Sequence, residues 1–202
     1  MPIHAGQAGK CHTGSVAVFA AFRYESISAK RLIHALKYSG TEAAADTAAC
    51  LAGPMFIKTL PSTCIRRPAY INESDVTNII LIPIPLSPSR KKKRGFNQSL
   101  LFAEAFSIFL KQAGIRATVL ENALRRIRDT KSQTMCKTRN ERAKNVIGCF
   151  EFIGFPTPYK FRESIIFLVD DVVTSGATIE EAARTLHKAK VPHVAGLCIA
   201  KT

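Results

Sequence analysis

The stretch IIFLVDDVVTSGATIEEAA, residues 165–183, constrains the fold more than any other part of the chain. Its five leading apolar residues, without polar alternation, describe a strand buried on both faces. Ile179, Ala182, Ala183, Leu186 and Ala189 then recur mostly at spacings of three and four, the stripe of a helix packed on a core. A buried strand running straight into such a helix is the repeating unit of a parallel α/β sheet. Residues 79–84 form a second wholly apolar run and are predicted to be a second buried strand.

The rest of the chain falls into the same alternation. Strands are predicted at 15–23, 115–120, 146–153, 164–169 and 194–199. A helix is expected at 28–38, capped by Ser28, with Gly40 just past its end. The alanine-rich stretch 41–60 is expected to be helical but interrupted near Gly53 and Pro54. Residues 61–75 carry prolines and polar residues and read as a loop. A proline-rich basic loop follows the strand at 79–84, and a helix runs over 97–112. Residues 121–145 are polar and basic and predict a long loop, and Pro192 is expected to end the last helix. The fold class is α/β, a mainly parallel twisted sheet flanked by helices. A small N-terminal hood region is expected over 1–75 and the α/β core over 76–202.

The 202 residues suffice for one domain with a sizeable core. No apolar run reaches the roughly 18 residues of a membrane-crossing helix, so no membrane insertion is expected. Residues 16–22 are short and meet Arg23, Tyr24 and Glu25 without a small-residue cleavage pattern, so they read as strand, not export signal. The six cysteines, Cys11, Cys50, Cys64, Cys136, Cys149 and Cys198, form no Cys-x-x-Cys pair. They predict free thiols, a cytoplasmic setting and no zinc site. His4, His12, His34, His187 and His193 show neither triad nor metal spacing. The net charge is +14, and residues 90–144 hold 15 lysines and arginines against four acidic residues, a surplus of 11. Such a segment attracts phosphates, whether of nucleic acid, nucleotide or sugar phosphate.

Asp170 and Asp171 fall at the predicted carboxyl end of a buried strand, where ligands bind in open α/β sheets. Thr174, Ser175, Gly176, Ala177 and Thr178 follow and lead into a helix start, with unpaired N–H groups and a positive dipole end. Gly176 can take a positive φ, and three hydroxyls add donors. The turn suits a phosphate, yet adjacent carboxylates repel one. Both halves fit a ligand that also carries vicinal hydroxyls, with Mg²⁺ to balance charge.

The stretch VDDVVTSGAT, residues 169–178, resembles the 5-phosphoribosyl-1-pyrophosphate (PRPP) binding motif of type I phosphoribosyltransferases. Three further stretches resemble the ComF subgroup in its order. RLIHALKYSG (31–40) is similar to its Lys-Tyr-x-Gly motif. IPIPLSPSRKKKRGFNQSLLFAEAF (82–106) is similar to its pyrophosphate-side loop. LRRIRDTKSQTMCKTRNERAKNVIGCFEF (124–152) is similar to its Thr-x-x-Gln and Arg-x-x-Asn segment. The family commonly begins with a cysteine-rich zinc module, which this sequence lacks, and Ser87 stands where it often has histidine.

The resemblance implies a type I phosphoribosyltransferase fold with Asp170 and Asp171 facing the ribose hydroxyls. Val173, Thr174, Ser175, Gly176, Ala177 and Thr178 would wrap the 5-phosphate. It places Leu86, Ser87, Arg90, Arg94 and Gly95 in the pyrophosphate loop. Arg90 and Arg94 are the preferred phosphate ligands, since guanidinium binds phosphate bidentately. Thr130, Gln133, Arg142 and Asn145 would belong to a lid, and Mg²⁺ would enter with PRPP. Lys91, Lys92 and Lys93 read equally as a solvated run, Asn97 and Gln98 as helix caps or ligands, and Lys37 as a helix-end cation or site residue. Phe96 reads as a core anchor.

The implied activity is transfer of phosphoribosyl from PRPP to an unknown nucleophile with release of pyrophosphate, in association with competence and DNA uptake. The alternative is a single-stranded DNA-binding competence factor, partnered by DNA-uptake proteins, that uses the pocket as a sensor or phosphate site. A third reading gives the turn another phosphorylated metabolite.

Overall fold

Strand β7 (Ser164–Val173) is the axis of the sheet in this computed structural model, which describes residues 9–13, 15–60, 78–130, 138–155 and 164–202. It pairs in parallel with β3 (Asn78–Pro83) on one side and β8 (Val194–Lys201) on the other. Outside these, β4 (Ala117–Val119) joins β3 and β2 (Val16–Arg23) joins β8, both parallel. The edge strand β1 (Gly9–Thr13) lies antiparallel to β2. The order is β1-β2-β8-β7-β3-β4, so five of the six strands run parallel. A separate antiparallel ribbon pairs β5 (Leu124–Arg126) with β6 (Phe150–Phe152).

The apolar runs are continuous because both sheet faces are covered. Ile79, Leu81, Phe167 and Val169 face a core built with α1 (Ile27–Tyr38), α2 (Glu42–Ile57) and α4 (Gln98–Gln112). Ile80, Ile82, Ile166 and Leu168 face a second core with the β5–β6 ribbon, α5 (Arg139–Val146) and α6 (Ala177–Lys188). Among the described residues no helix is long and apolar enough to cross a membrane.

Several expectations are overturned. Helix α2 is not interrupted: Pro54 lies inside it. The proline leaves the Cys50 carbonyl without its usual donor, but Cys50 is exposed and water can supply one. Packing offsets the remaining cost. Gly53 admits the Phe109 ring so closely that a Cβ there would lie 2.0 Å from it. Two residues beyond the proline, fully buried Phe56 meets Phe19, Phe106 and Phe167 edge-on at centroid distances of 5.3, 5.1 and 5.0 Å. A proline inside a helix costs about 3 kcal/mol, and burying such a phenylalanine is worth about as much or more.

Strand β7 does not end at Val169 but runs through both aspartates, because β8 continues beside it: Asp170 is opposite Cys198 and Val173 opposite Lys201. The proline-rich basic loop contains a short helix, α3 (Pro88–Arg94). The stretch 121–145 is not one loop. It contains β5 and most of α5, whose capping box joins Thr138 and Glu141. Residues 146–149 finish and follow α5 rather than form strand. Helix α1 starts after Ser26, not Ser28, and α6 ends at Lys188, before Pro192.

Phe56→Ala is expected to cost about 3–5 kcal/mol in urea unfolding. A loss under about 1 kcal/mol would show that Phe56 does not anchor α2 past its proline.

Candidate functional site

The parallel strands end around a single cavity of about 500 Å³, within the range of small-molecule sites. Tyr24 follows β2, Ile84, Pro85 and Leu86 follow β3, Thr202 follows β8, and residues 170–178 carry β7 into α6. This is the edge at which such sheets bind ligands.

Two helices answer the paired carboxylates. Asp171 is buried, and Lys37 from the last turn of α1 meets it at 2.6 Å. Lys37 is therefore a site residue rather than only a helix-end cation. Half-buried Asp170 accepts hydrogen bonds from the Ser99 hydroxyl at 3.2 Å and its neighbour's N–H at 2.9 Å. Ser99 is held there by Asn97, whose side chain accepts from the Ser99 N–H and donates to the Ile84 carbonyl. Asn97 thus caps α4 and ties it to the end of β3.

Gly176, at φ +80°, is the N-cap of α6 and turns the chain so that Ala177 and Thr178 open the helix at the cavity wall. The first N–H groups of a helix have no partner within it and suit an anion. Thr174 and Ser175 line the same wall, as does Val173. Helix α3 brings Arg90 and Arg94 to the same cavity. The Arg94 guanidinium donates to Gln98 Oε1 at 2.9 Å and lies 5.9 Å over the Tyr38 ring. Gly95 ends α3 in the left-handed conformation at φ +78°.

Asp170, Asp171, Val173, Thr174, Ser175, Gly176, Ala177, Thr178, Leu86, Arg90 and Arg94 thus border one cavity. Ser87, Gly95, Thr130, Arg142 and Asn145 are not among its lining residues. Ser87 is buried at the start of α3, 3.3 Å from the Ser89 hydroxyl. Hydroxyl donation from Ser87 and Ser89 holds exposed Asp129 below its ordinary value, linking α3 to the segment after β5. Arg142 and Asn145 lie on α5. Gln133 lies outside the described residues.

The residue reading missed Arg126, Ser99 and Tyr24, all of which line the cavity. Arg126 left a signal. In LRRI, residues 124–127, Leu124 and Arg126 are buried while Arg125 and Ile127 are exposed, the alternation of a strand. Arg125 pairs with Glu151 at the surface, 2.6 Å away, whereas Arg126 points inward beside the Phe150 ring.

No family model matches the chain. It is 30% identical over 171 residues to the DNA utilization protein YhgH of Escherichia coli, covering 85% of this chain and 66% of that protein. It is 29% identical over 114 residues to competence protein F of Haemophilus influenzae, covering 56% of this chain and 46% of the relative. It is 30% identical over 127 residues to competence protein ComFC of Bacillus subtilis, covering 62% and 45%. The chain spans about half the length of these two competence proteins.

Burial, then the Asp171 carboxylate beside it, pushes Asp170 from 3.8 up to about 8. Between those values the folded chain holds a proton that the unfolded chain has lost. Asp170's contribution to stability is therefore full below about pH 4 and falls as pH rises toward 8. Asp170→Asn is expected to raise the melting temperature at pH 8, with the gain shrinking to nothing near pH 4. A pH-independent difference, or a loss at pH 8, would contradict this.

Proposed function

The chain belongs to the ComF family, and on that premise we propose that its cavity binds PRPP or a closely related ribose 5-phosphate, in a protein that serves DNA uptake. The observation that carries the reading is the convergence on one cavity of Asp170, Asp171, the turn 174–178 and the two guanidinium groups of α3. The 5-phosphate sits at the N-terminus of α6, where the turn's N–H groups and the Thr174, Ser175 and Thr178 hydroxyls donate to it. Ribose hydroxyls donate to the aspartates. Lys37 holds Asp171 in place through their ion pair. The diphosphate lies toward Arg90 and Arg94, whose charge opposes the charge that builds on a departing pyrophosphate.

This orientation leaves the anomeric carbon facing the open cavity between the arginines and the aspartates. A nucleophile entering there completes phosphoribosyl transfer. Tyr24 and Tyr38 border that space, and Tyr38 is 67% exposed. Mg²⁺ prefers six oxygens and keeps several waters. Two lining carboxyl groups, one of them protonated in the free site, fit an ion that arrives on phosphates and hydroxyls rather than one caged by the protein. Asp170 and Asp171 are the residues that would meet it, and it would supply charge neutralisation of the diphosphate.

Isothermal calorimetry with PRPP and with ribose 5-phosphate, each with and without Mg²⁺, tests the reading. PRPP is expected to bind more tightly with Mg²⁺ and more tightly than ribose 5-phosphate. The double variant Asp170→Asn with Asp171→Asn is expected to weaken PRPP at least about tenfold. Absence of PRPP binding, or an unaffected double variant, would overturn the proposal.

A second reading, single-stranded DNA binding, is favoured by one observation: α3 exposes Lys91, Lys92 and Lys93 beside the arginines that line the cavity. Its signature is affinity that falls steeply with salt and eases when those three lysines become glutamine. Salt-insensitive or undetectable binding would remove it.

A further inference from the structure

Arg126 is the one buried lysine or arginine among the described residues, 8% exposed. Its Nη2 donates to the Thr130 hydroxyl. The Phe150 ring lies 5.3 Å from the guanidinium carbon. Its Nε is closed off from solvent and has no acceptor. Among the described residues no carboxylate is ion-paired with it.

Removing an unpaired cation from water is costly unless a counter-charge meets it, so this is an expensive residue for packing alone. A neutral side chain would stack on Phe150 without that cost. The position explains the choice. Arg126 borders the cavity with Arg90, and the two guanidinium groups are near enough to repel each other. Two cations lining one cavity form a donor set for an oxyanion.

We propose that Arg126 contacts the ligand's diphosphate directly, sharing it with Arg90, while Thr130 positions the guanidinium. This rests on the reading of the cavity as a site for PRPP. The diphosphate is the end assigned because the 5-phosphate already has the turn at 174–178 and the start of α6. Arg126 lies within electrostatic reach of Arg90, the arginine already assigned to the diphosphate. A guanidinium in this buried position interacts with phosphate more strongly than the exposed lysines of α3 can, because water screens it less. Thr130, which does not line the cavity, thereby gains a role through Arg126.

Calorimetry on Arg126→Lys and Arg126→Met, with Mg²⁺-PRPP, inorganic pyrophosphate and ribose 5-phosphate as probes, tests this. Both variants are expected to lose about 10- to 100-fold in affinity for PRPP and pyrophosphate, and to keep ribose 5-phosphate within about twofold. Arg126→Met without ligand is expected to melt at or above the wild-type temperature, because a buried unpaired cation has gone. A merely structural arginine gives the opposite pattern: a lower melting temperature and equal losses for all three probes. That pattern, or pyrophosphate binding within twofold of wild type in both variants, overturns the proposal. If Arg126→Met does not fold, the structural role is supported unless Arg126→Lys folds and shows the selective loss. Failure of the wild-type chain to bind any probe sinks the PRPP reading and this inference together. Binding by wild type with unchanged variants sinks this inference alone.

Discussion

Two adjacent carboxylates on a central strand of a buried sheet are the constraint around which the molecule is arranged. Burial and the neighbouring Asp171 both disfavour the charge on Asp170. The structure resolves this asymmetrically. Asp171 is given a cation, Lys37, at 2.6 Å. Asp170 is given a hydroxyl and a backbone N–H and holds its proton to about pH 8. Each answer needs a helix in register. Ile33 and Leu36 fix α1 so that Lys37 reaches the strand end, and Phe102 and Phe106 fix α4 so that Ser99 does. The large aromatic core beneath these helices is thus tied to the electrostatics above it.

The basic surplus of residues 90–144 divides into parts with different physics. Lys91, Lys92 and Lys93 are exposed and interact with anions through a screened, long-range field. Arg90 and Arg94 line the cavity. Arg125 forms a surface pair worth little to stability. Arg126 is buried, where each unit of charge counts for most. A screened surface field and a smaller set of donors that line the cavity are separable properties of the same segment.

The strands buried on both faces, the helix after the aspartates and the glycine turn that starts it were legible because each is a local pattern of a few residues. What was not legible depends on distant partners. Strand β7 continues through Asp170 and Asp171 only because β8 runs alongside, and no local rule extends a strand across two acids. Pro54 stays in its helix because Phe56 finds three aromatic rings from other elements. The ribbon of β5 and β6 joins three-residue strands 23 residues apart in sequence, too short for periodicity to register, and so Arg126 passed as one more surface cation. Edge strand β1 reads GKCHT, with no apolar alternation at all. Lys37 could be placed at a helix end from its sequence, but its pairing with a residue 134 positions away could not.

A crystal structure of the chain with PRPP and Mg²⁺ would test the central claim most directly. The account predicts the 5-phosphate against the backbone N–H groups of residues 174–178 and ribose hydroxyls within hydrogen-bond distance of Asp170 and Asp171. It predicts the diphosphate between Arg90 and the wall formed by Arg126. A ligand bound outside this cavity, or inside it with the ribose turned away from both aspartates, would contradict the account.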